Sequence, residues 1–272
     1  MTRSGTMAAT AGLVNVPGGA GRGQGSARSD ATQAIVELCA VRFSWSPATA
    51  AVIDIDSLSI ARGERVLLRG PSGSGKSTLL NLLAGVLVPQ AGTVRVMGTD
   101  LGKLGGAERD RLRADHIGYL FQVFNLIPYL SVLENVCLPC GFSERRRTRA
   151  SQEGGSVQDA ALRLLERLDM HASDLVRRPV TSLSIGQQQR VAAARALIGA
   201  PELLIADEPT SALDADRRTA FVELLFEQCA RDGTTLIVAS HDASLGAIFD
   251  RTIDLATCTR SPAAALAGKV AQ

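Results

Sequence analysis

From residue 34 onward, hydrophobic and polar positions follow two rhythms. Residues 34–43, "VIDIDSLSI" (52–60) and the short apolar "ERVLLRG" (64–70) read as strands, the second with a clear period of two. "KSTLLNLLAGV" (76–86) places apolar residues at helical spacing. "LLIA" (203–206) and "TTLIVAS" (234–240) are strand-like runs, each following a helix-like stretch. Strands alternating with helices predict an α/β fold with a mainly parallel sheet covered on both faces. Between about 100 and 200 helical periods dominate, in "AERDRLRA", "SVLENVCL", "VQDAALRLLERLDM" and "GQQQRVAAARALI". That change of rhythm predicts an α-helical subdomain inserted into the α/β body. The stretch "SERRRTRASQEGGS" (143–156) breaks the pattern and reads as a solvated surface loop, the alternative being a contact with acidic lipid headgroups.

Residues 1–33 hold 7 of the 26 glycines and show no hydrophobic period. They read as a disordered tail, since such a segment buries too little to offset chain entropy. A start codon at Met7 and a transit peptide are alternatives, the latter lacking its amphipathic period. A folded domain is expected over 34–256 and a short tail over 257–272, with no regulatory C-terminal domain. The chain of 272 residues is 46% hydrophobic and 21% charged, a globular composition. Its longest apolar stretch, Leu79 to Val88, is interrupted by Asn81 and falls short of the roughly 20 residues a bilayer requires, so no membrane span is expected. The net charge of +2 resides in the first 33 residues, where Arg3, Arg22 and Arg28 face Asp30. The remainder is balanced at 26 basic and 26 acidic residues, which argues against nucleic acid as a partner because phosphate neutralisation needs a basic excess. Five cysteines without framework spacing suit a reducing compartment. Cys137 and Cys140 form a CxxC that lacks a second pair or a nearby histidine, so it reads as two semi-buried small residues rather than a zinc or redox site.

Two motifs carry phosphate chemistry. "GPSGSGKST" (70–78) fits G-x-x-x-x-G-K-[ST], after an expected strand and at the opening of an expected helix. Gly70, Pro71, Ser72, Gly73, Ser74 and Gly75 supply a loop whose N–H groups curl round phosphates. Lys76 brings charge to the β/γ oxygens, and Ser77 and Thr78 start the helix, with the Ser77 hydroxyl a candidate Mg²⁺ ligand. "LLIADEP" (203–209) ends a hydrophobic strand in adjacent carboxylates. Asp207 suits Mg²⁺, and Glu208 suits orienting a hydrolytic water.

"LSIGQQQRVAAARAL" (183–197) resembles the signature of ATP-binding cassette (ABC) ATPases, usually L-S-G-G-Q. The resemblance extends over about 34–256, with six motifs in the family's order, and it implies a P-loop NTPase (RecA-like) core with an N-terminal antiparallel β subdomain and an inserted α-helical subdomain. It assigns Gln122 in "YLFQVFN" to the Q-loop, where it would touch Mg²⁺ and the reacting nucleotide. It assigns Ser211–Asp214 ("SALD") to the D-loop, with Asp214 near the nucleotide, and His241 in "VASHD" to the switch histidine. Trp45 stands where an aromatic stacks on adenine, although an aromatic beside Phe43 on a strand is also a core candidate. The catalytic group is thus Lys76, Gln122, Glu208 and His241, with ATP and Mg²⁺ as cofactors. The resemblance implies a head-to-tail homodimer in which Ser184, Gly186 and Gln187 of one chain meet the γ-phosphate bound by the other. Ile185 departs from the family's glycine, and a β-branched residue does not readily take a positive φ. One additional residue separates Pro179 from the signature leucine compared with the commonest family form.

"LFQVFNLIPYLSVLENV" (120–136) is similar to the lipoprotein-release and macrolide-export subgroup. Five of the ten aromatics lie in 119–142, a candidate groove for a permease's coupling helix as well as core for a small helical subdomain. The resemblance implies an ATPase on the cytoplasmic face of the inner membrane, powering a separate permease for export or extraction of a hydrophobic or lipid-linked substrate. Signalling or envelope and division machinery without transport is the alternative within the family. A small-molecule kinase would have no use for 183–190. A DNA-repair cassette would show a long coiled-coil insertion or a basic face, and a translation-factor cassette two P-loops.

Overall fold

The computed structural model describes residues 34–152, 155–170, 177–211 and 213–258. The expected tails over 1–33 and from 259 onward lie outside the described residues. In chain order the elements are β1 (Ala34–Phe43), β2 (Ile53–Ala61), β3 (Arg65–Arg69), α1 (Lys76–Leu83), β4 (Ala91–Val96), β5 (Thr99–Asp100), α2 (Gly106–His116) and β6 (Ile117–Leu120). They continue with α3 (Val132–Phe142), α4 (Glu144–Ser151), α5 (Val157–Arg167), α6 (Ile185–Leu197), β7 (Leu203–Asp207), α7 (Ala215–Asp232), β8 (Thr235–Ser240), β9 (Arg251–Asp254) and α8 (Leu255–Cys258).

Two sheets form the body. An antiparallel sheet has the order β2-β1-β4-β5, and a parallel sheet has the order β6-β7-β8-β3-β9. The inner strands β7 and β8 and the middle of β3 are continuous apolar runs because both of their faces are buried. Successive residues enter opposite cores: Val66, Leu68, Leu203, Ile205 and Ile237 pack with α1 and the antiparallel sheet. Leu67, Leu204, Leu236 and Val238 pack with residues of α3, α5, α6 and α7.

Two readings of the sequence require correction. Within the stretch of helical periods, β6 pairs in parallel with β7 and forms an edge of the core sheet. Its four residues are too short to leave a periodic trace. The supposed loop at 143–156 contains the helix α4. Ser143 caps it, accepting from the Arg146 N–H at 3.0 Å. The inward residues of α4 are Ala150 and, unusually, Arg146, which is 3% exposed and donates to the Ala196 carbonyl. Arg145 and Arg149 bind Glu202, just before β7, which also receives His116 Nδ1 at 2.9 Å. Burial works against the ionised Glu202, yet hydrogen bonds from His116 and Arg145 hold its carboxyl well below the usual range. These arginines therefore have partners within the chain. Cys137 and Cys140 lie on α3, Cys140 buried and Cys137 half-buried, and desolvation raises both thiols, Cys137 to about 11.

Candidate functional site

Four parallel strands deliver side chains at their carboxyl ends, where an open α/β sheet forms its crevice. β3 runs into the loop 70–75, β7 ends in Asp207, β8 precedes His241, and β6 leads to Gln122. A cleft of about 550 Å³ opens there. Of the residues expected at the nucleotide, Trp45, Ser72, Gly73, Gly75, Lys76, Ser77, Thr78, Gln122, Glu208 and His241 line it.

The loop is shaped by local constraints. Gly75 caps α1 with a φ of +96°, a conformation glycine takes without a Cβ penalty. A Cβ there would also lie 3.0 Å from Val52 Cγ1. The Ser74 N–H bonds the Pro71 carbonyl at 3.1 Å, closing the turn. Lys76, 7% exposed, donates to the carbonyls of Gly70 at 2.8 Å and Pro71 at 3.2 Å. Its ammonium stands 3.4 Å from Glu208 Oε1. Positive charge is thus held at the mouth of a helix N-terminus, where the dipole adds to it.

Glu208 has a φ of +46°, uncommon for a non-glycine residue, and such backbone costs of order 1 kcal/mol. Its N–H bonds the Ala239 carbonyl at 2.9 Å and its carbonyl accepts from the Ser211 N–H, which holds the turn. The carboxylate is bracketed by Lys76 on one oxygen and His241 Nδ1, at 2.9 Å, on the other. Asp207 sits deeper. Its Oδ1 is buried without a hydrogen-bond partner. Burial, followed by the charge of Glu208, raises its carboxyl above the ordinary range, against a hydrogen bond from Ser77 and the charge of Lys76. An orphaned carboxylate oxygen beside a hydroxyl is a donor set that fits a divalent cation.

Trp45 and Phe43 divide the two roles open to aromatics here. Phe43 is 6% exposed, whereas Trp45 is 64% exposed and lines the cleft, its ring edge-on to Phe43 at 5.2 Å. Val52 and Ser211 also line the cleft. The hydrophobic pattern reveals Val52 only as a strand residue, so nothing in the sequence singles it out as a wall of the site.

The second group stands apart from this cleft. Ser184, Gly186, Gln187 and Asp214 do not line it. Ser184 is the N-cap of α6 and forms a capping box: its N–H donates to Gln187 Oε1 at 2.9 Å, and its Oγ accepts from the Gln187 N–H at 3.3 Å. Such a cap contributes about 1 kcal/mol. Asp214 caps α7, accepting from the Arg217 N–H at 3.0 Å. The backbone difficulty expected at Ile185 does not arise. Ile185 is the first residue of α6 and has no positive φ, and its side chain is 57% exposed. Between Pro179 and Leu183 the chain forms a single 3-10 turn, Val180–Ser182.

Since glycine at this exposed position changes helix propensity by about 1 kcal/mol at most, Ile185→Gly is expected to keep its hydrolysis rate within about tenfold. Steady-state ATPase measurement checks this; a larger loss would assign the isoleucine a contact that its exposure in one chain does not suggest.

The ABC transporter family model matches residues 53–211. The lipoprotein-releasing system ATP-binding protein LolD 2 of Rhodospirillum rubrum is 41% identical over 199 residues, 73% of this chain and 83% of that protein. The macrolide export ATP-binding/permease protein MacB of Rhodopseudomonas palustris is 40% identical over 223 residues, 81% of this chain and 32% of that protein. A dimeric, post-hydrolysis structure of the ATP-binding cassette MJ0796 bound to ADP and Pi superposes with a TM-score of 0.69 at 35% identity, covering 80% of this chain and 93% of that one.

Proposed function

The chain belongs to the ABC transporter family as an ATP-hydrolysing subunit, and from that premise we propose that it works as a head-to-tail homodimer coupled to a separate membrane permease. The observation that carries this reading is the division of the site. The cleft holds the phosphate loop, Gln122, Glu208 and His241, whereas Ser184, Gly186, Gln187 and Asp214 lie outside it. A helix N-terminus with an exposed serine cap suits a γ-phosphate, and pairing two chains would place each cap over the other's nucleotide. The dimeric MJ0796 structure with ADP and Pi supports such a pairing.

In this reading Trp45 stacks on the adenine. The N–H groups of 72–77 and the ammonium of Lys76 hold the phosphates. Ser77, Gln122 and Asp207 would hold Mg²⁺, whose charge would neutralise that of the phosphates. Glu208 orients the attacking water, and His241, already bonded to Glu208, reaches the γ-phosphate. Catalysis then rests on charge stabilisation by groups held in place before the reaction. Loss of the γ-phosphate removes the bridge between chains, and the dimer opens.

No helix among the described residues is long and apolar enough to cross a membrane; in this reading the chain acts through a permease at the cytoplasmic membrane face. Val123 and Tyr129 are 79% and 82% exposed in the segment after Gln122, and Tyr119 stacks on Phe121 at 4.3 Å. That apolar surface suits a coupling helix. The names of the LolD and MacB relatives favour export or extraction of a lipid-linked or hydrophobic substrate.

Ser184→Arg tests the reading. Bulk and misplaced charge at the cap are expected to abolish hydrolysis and ATP-driven dimerisation, while the isolated chain still binds a fluorescent ATP analogue at its own cleft. Wild-type hydrolysis by Ser184→Arg would rule out the composite site.

A further inference from the structure

The last turn of the signature helix grips the segment that follows Gln122. Arg195, half-buried near the end of α6, donates from one terminal nitrogen to the Asn125 carbonyl at 2.6 Å and from the other to the Phe124 carbonyl at 2.5 Å. Both acceptors belong to residues with left-handed backbones, φ 41° at Phe124 and 49° at Asn125. Neither is glycine, and such a pair persists only where its surroundings hold it. Directly upstream, β6 lies close under the same helix end. A Cβ on Gly118 would come within 2.3 Å of the Ala196 carbonyl. Gln122 is therefore flanked on both sides by contacts to the C-terminal turn of α6, whose opposite end, roughly 16 Å away at helical rise, is the Ser184 cap.

We infer that Arg195 is a positioning residue: it locks the Gln122 segment to the signature helix, so that the Gln122 amide enters the cleft in a place set by α6. The inference rests on the role given to Gln122 in the proposed mechanism. Its physical content is a single rigid connection. Through it, the contact that Ser184 makes with one nucleotide is felt by the Gln122 that touches the other.

A double-mutant cycle tests this. Arg195→Met keeps the apolar stem but removes both donors. The expected result is a kcat lowered about 10- to 100-fold, as for a misplaced reacting group, with the KM for ATP within about twofold. In the background of Gln122→Ala, the same substitution is expected to have almost no further effect, because Arg195 acts through Gln122. Arg195→Lys, which can reach one carbonyl, recovers part of kcat and supplies the same cycle should Arg195→Met not fold. Effects that multiply in the double variant, or an unchanged kcat in Arg195→Met, overturn the inference while the proposed mechanism stands. Wild-type hydrolysis by Gln122→Ala instead strikes the role of Gln122 itself, and this inference with it.

Discussion

Replacing Lys76 by alanine is expected to reduce ATP hydrolysis at least about a thousandfold, the scale for losing a principal electrostatic group in a water-poor site, and to weaken ATP binding strongly. Lys76 is the one lysine or arginine among the described residues lining the cleft. Its ammonium is held by the Gly70 and Pro71 carbonyls beside Glu208, buried and within reach of a phosphate seated on the loop. Alanine removes the charge and leaves the helix dipole as the main positive field. Binding of a fluorescent ATP analogue and turnover in permease-coupled protein measure the two effects. Unaltered turnover would refute the placement of the phosphates at this loop.

Glu208→Gln is expected to have the opposite signature. The amide keeps the size of the carboxylate and a bond to His241, so ATP binding persists. Hydrolysis stops because the neutral amide lacks the negative charge and basicity that align a nucleophilic water and accept its proton. With ATP no longer consumed, a nucleotide-bound dimer accumulates, and size-exclusion chromatography with ATP reads it directly. Asp207→Asn differs in kind. It is expected to weaken binding only where Mg²⁺ is required, since the orphaned Oδ1 of Asp207 is the oxygen left without a partner. A Glu208→Gln protein that hydrolyses ATP at the wild-type rate would transfer the water-orienting role to another residue.

Those three substitutions concern residues that local pattern alone identifies. The phosphate loop is recognisable because its chemistry demands fixed spacing: small residues to curl, a lysine to reach, a hydroxyl at the helix start. The twin carboxylates are recognisable because a buried parallel strand must be apolar until its exposed end. Ser184 entered through the resemblance to the signature, and the structure adds that it caps α6 in a box with Gln187.

Other features carry no such local mark. Helix α4 escapes a hydrophobic reading because its inward positions are Arg146 and Ala150 rather than a stripe of leucine. What pays for burying that arginine is a backbone carbonyl fifty residues away, at Ala196. Strand β6 escapes because four residues are too few for a period, and only its pairing with β7 makes it a strand. The expected difficulty at Ile185 came from comparing residue types, whereas the fold places that residue in a helical turn where its φ is ordinary.

The sequence by itself determined the nucleotide chemistry, the order of its motifs and most of the strands and helices, because each depends on residues close together along the chain. Tertiary structure decided which groups meet. It separated Trp45 from Phe43, set Glu208 between Lys76 and His241, and hooked Arg195 onto Phe124 and Asn125. It also left the signature residues outside their own chain's cleft. The pairings of Glu208 with Lys76 and His241, and of Arg195 with Phe124 and Asn125, join elements far apart in sequence, and their geometry comes from the packing of the sheet and helices rather than from any local preference.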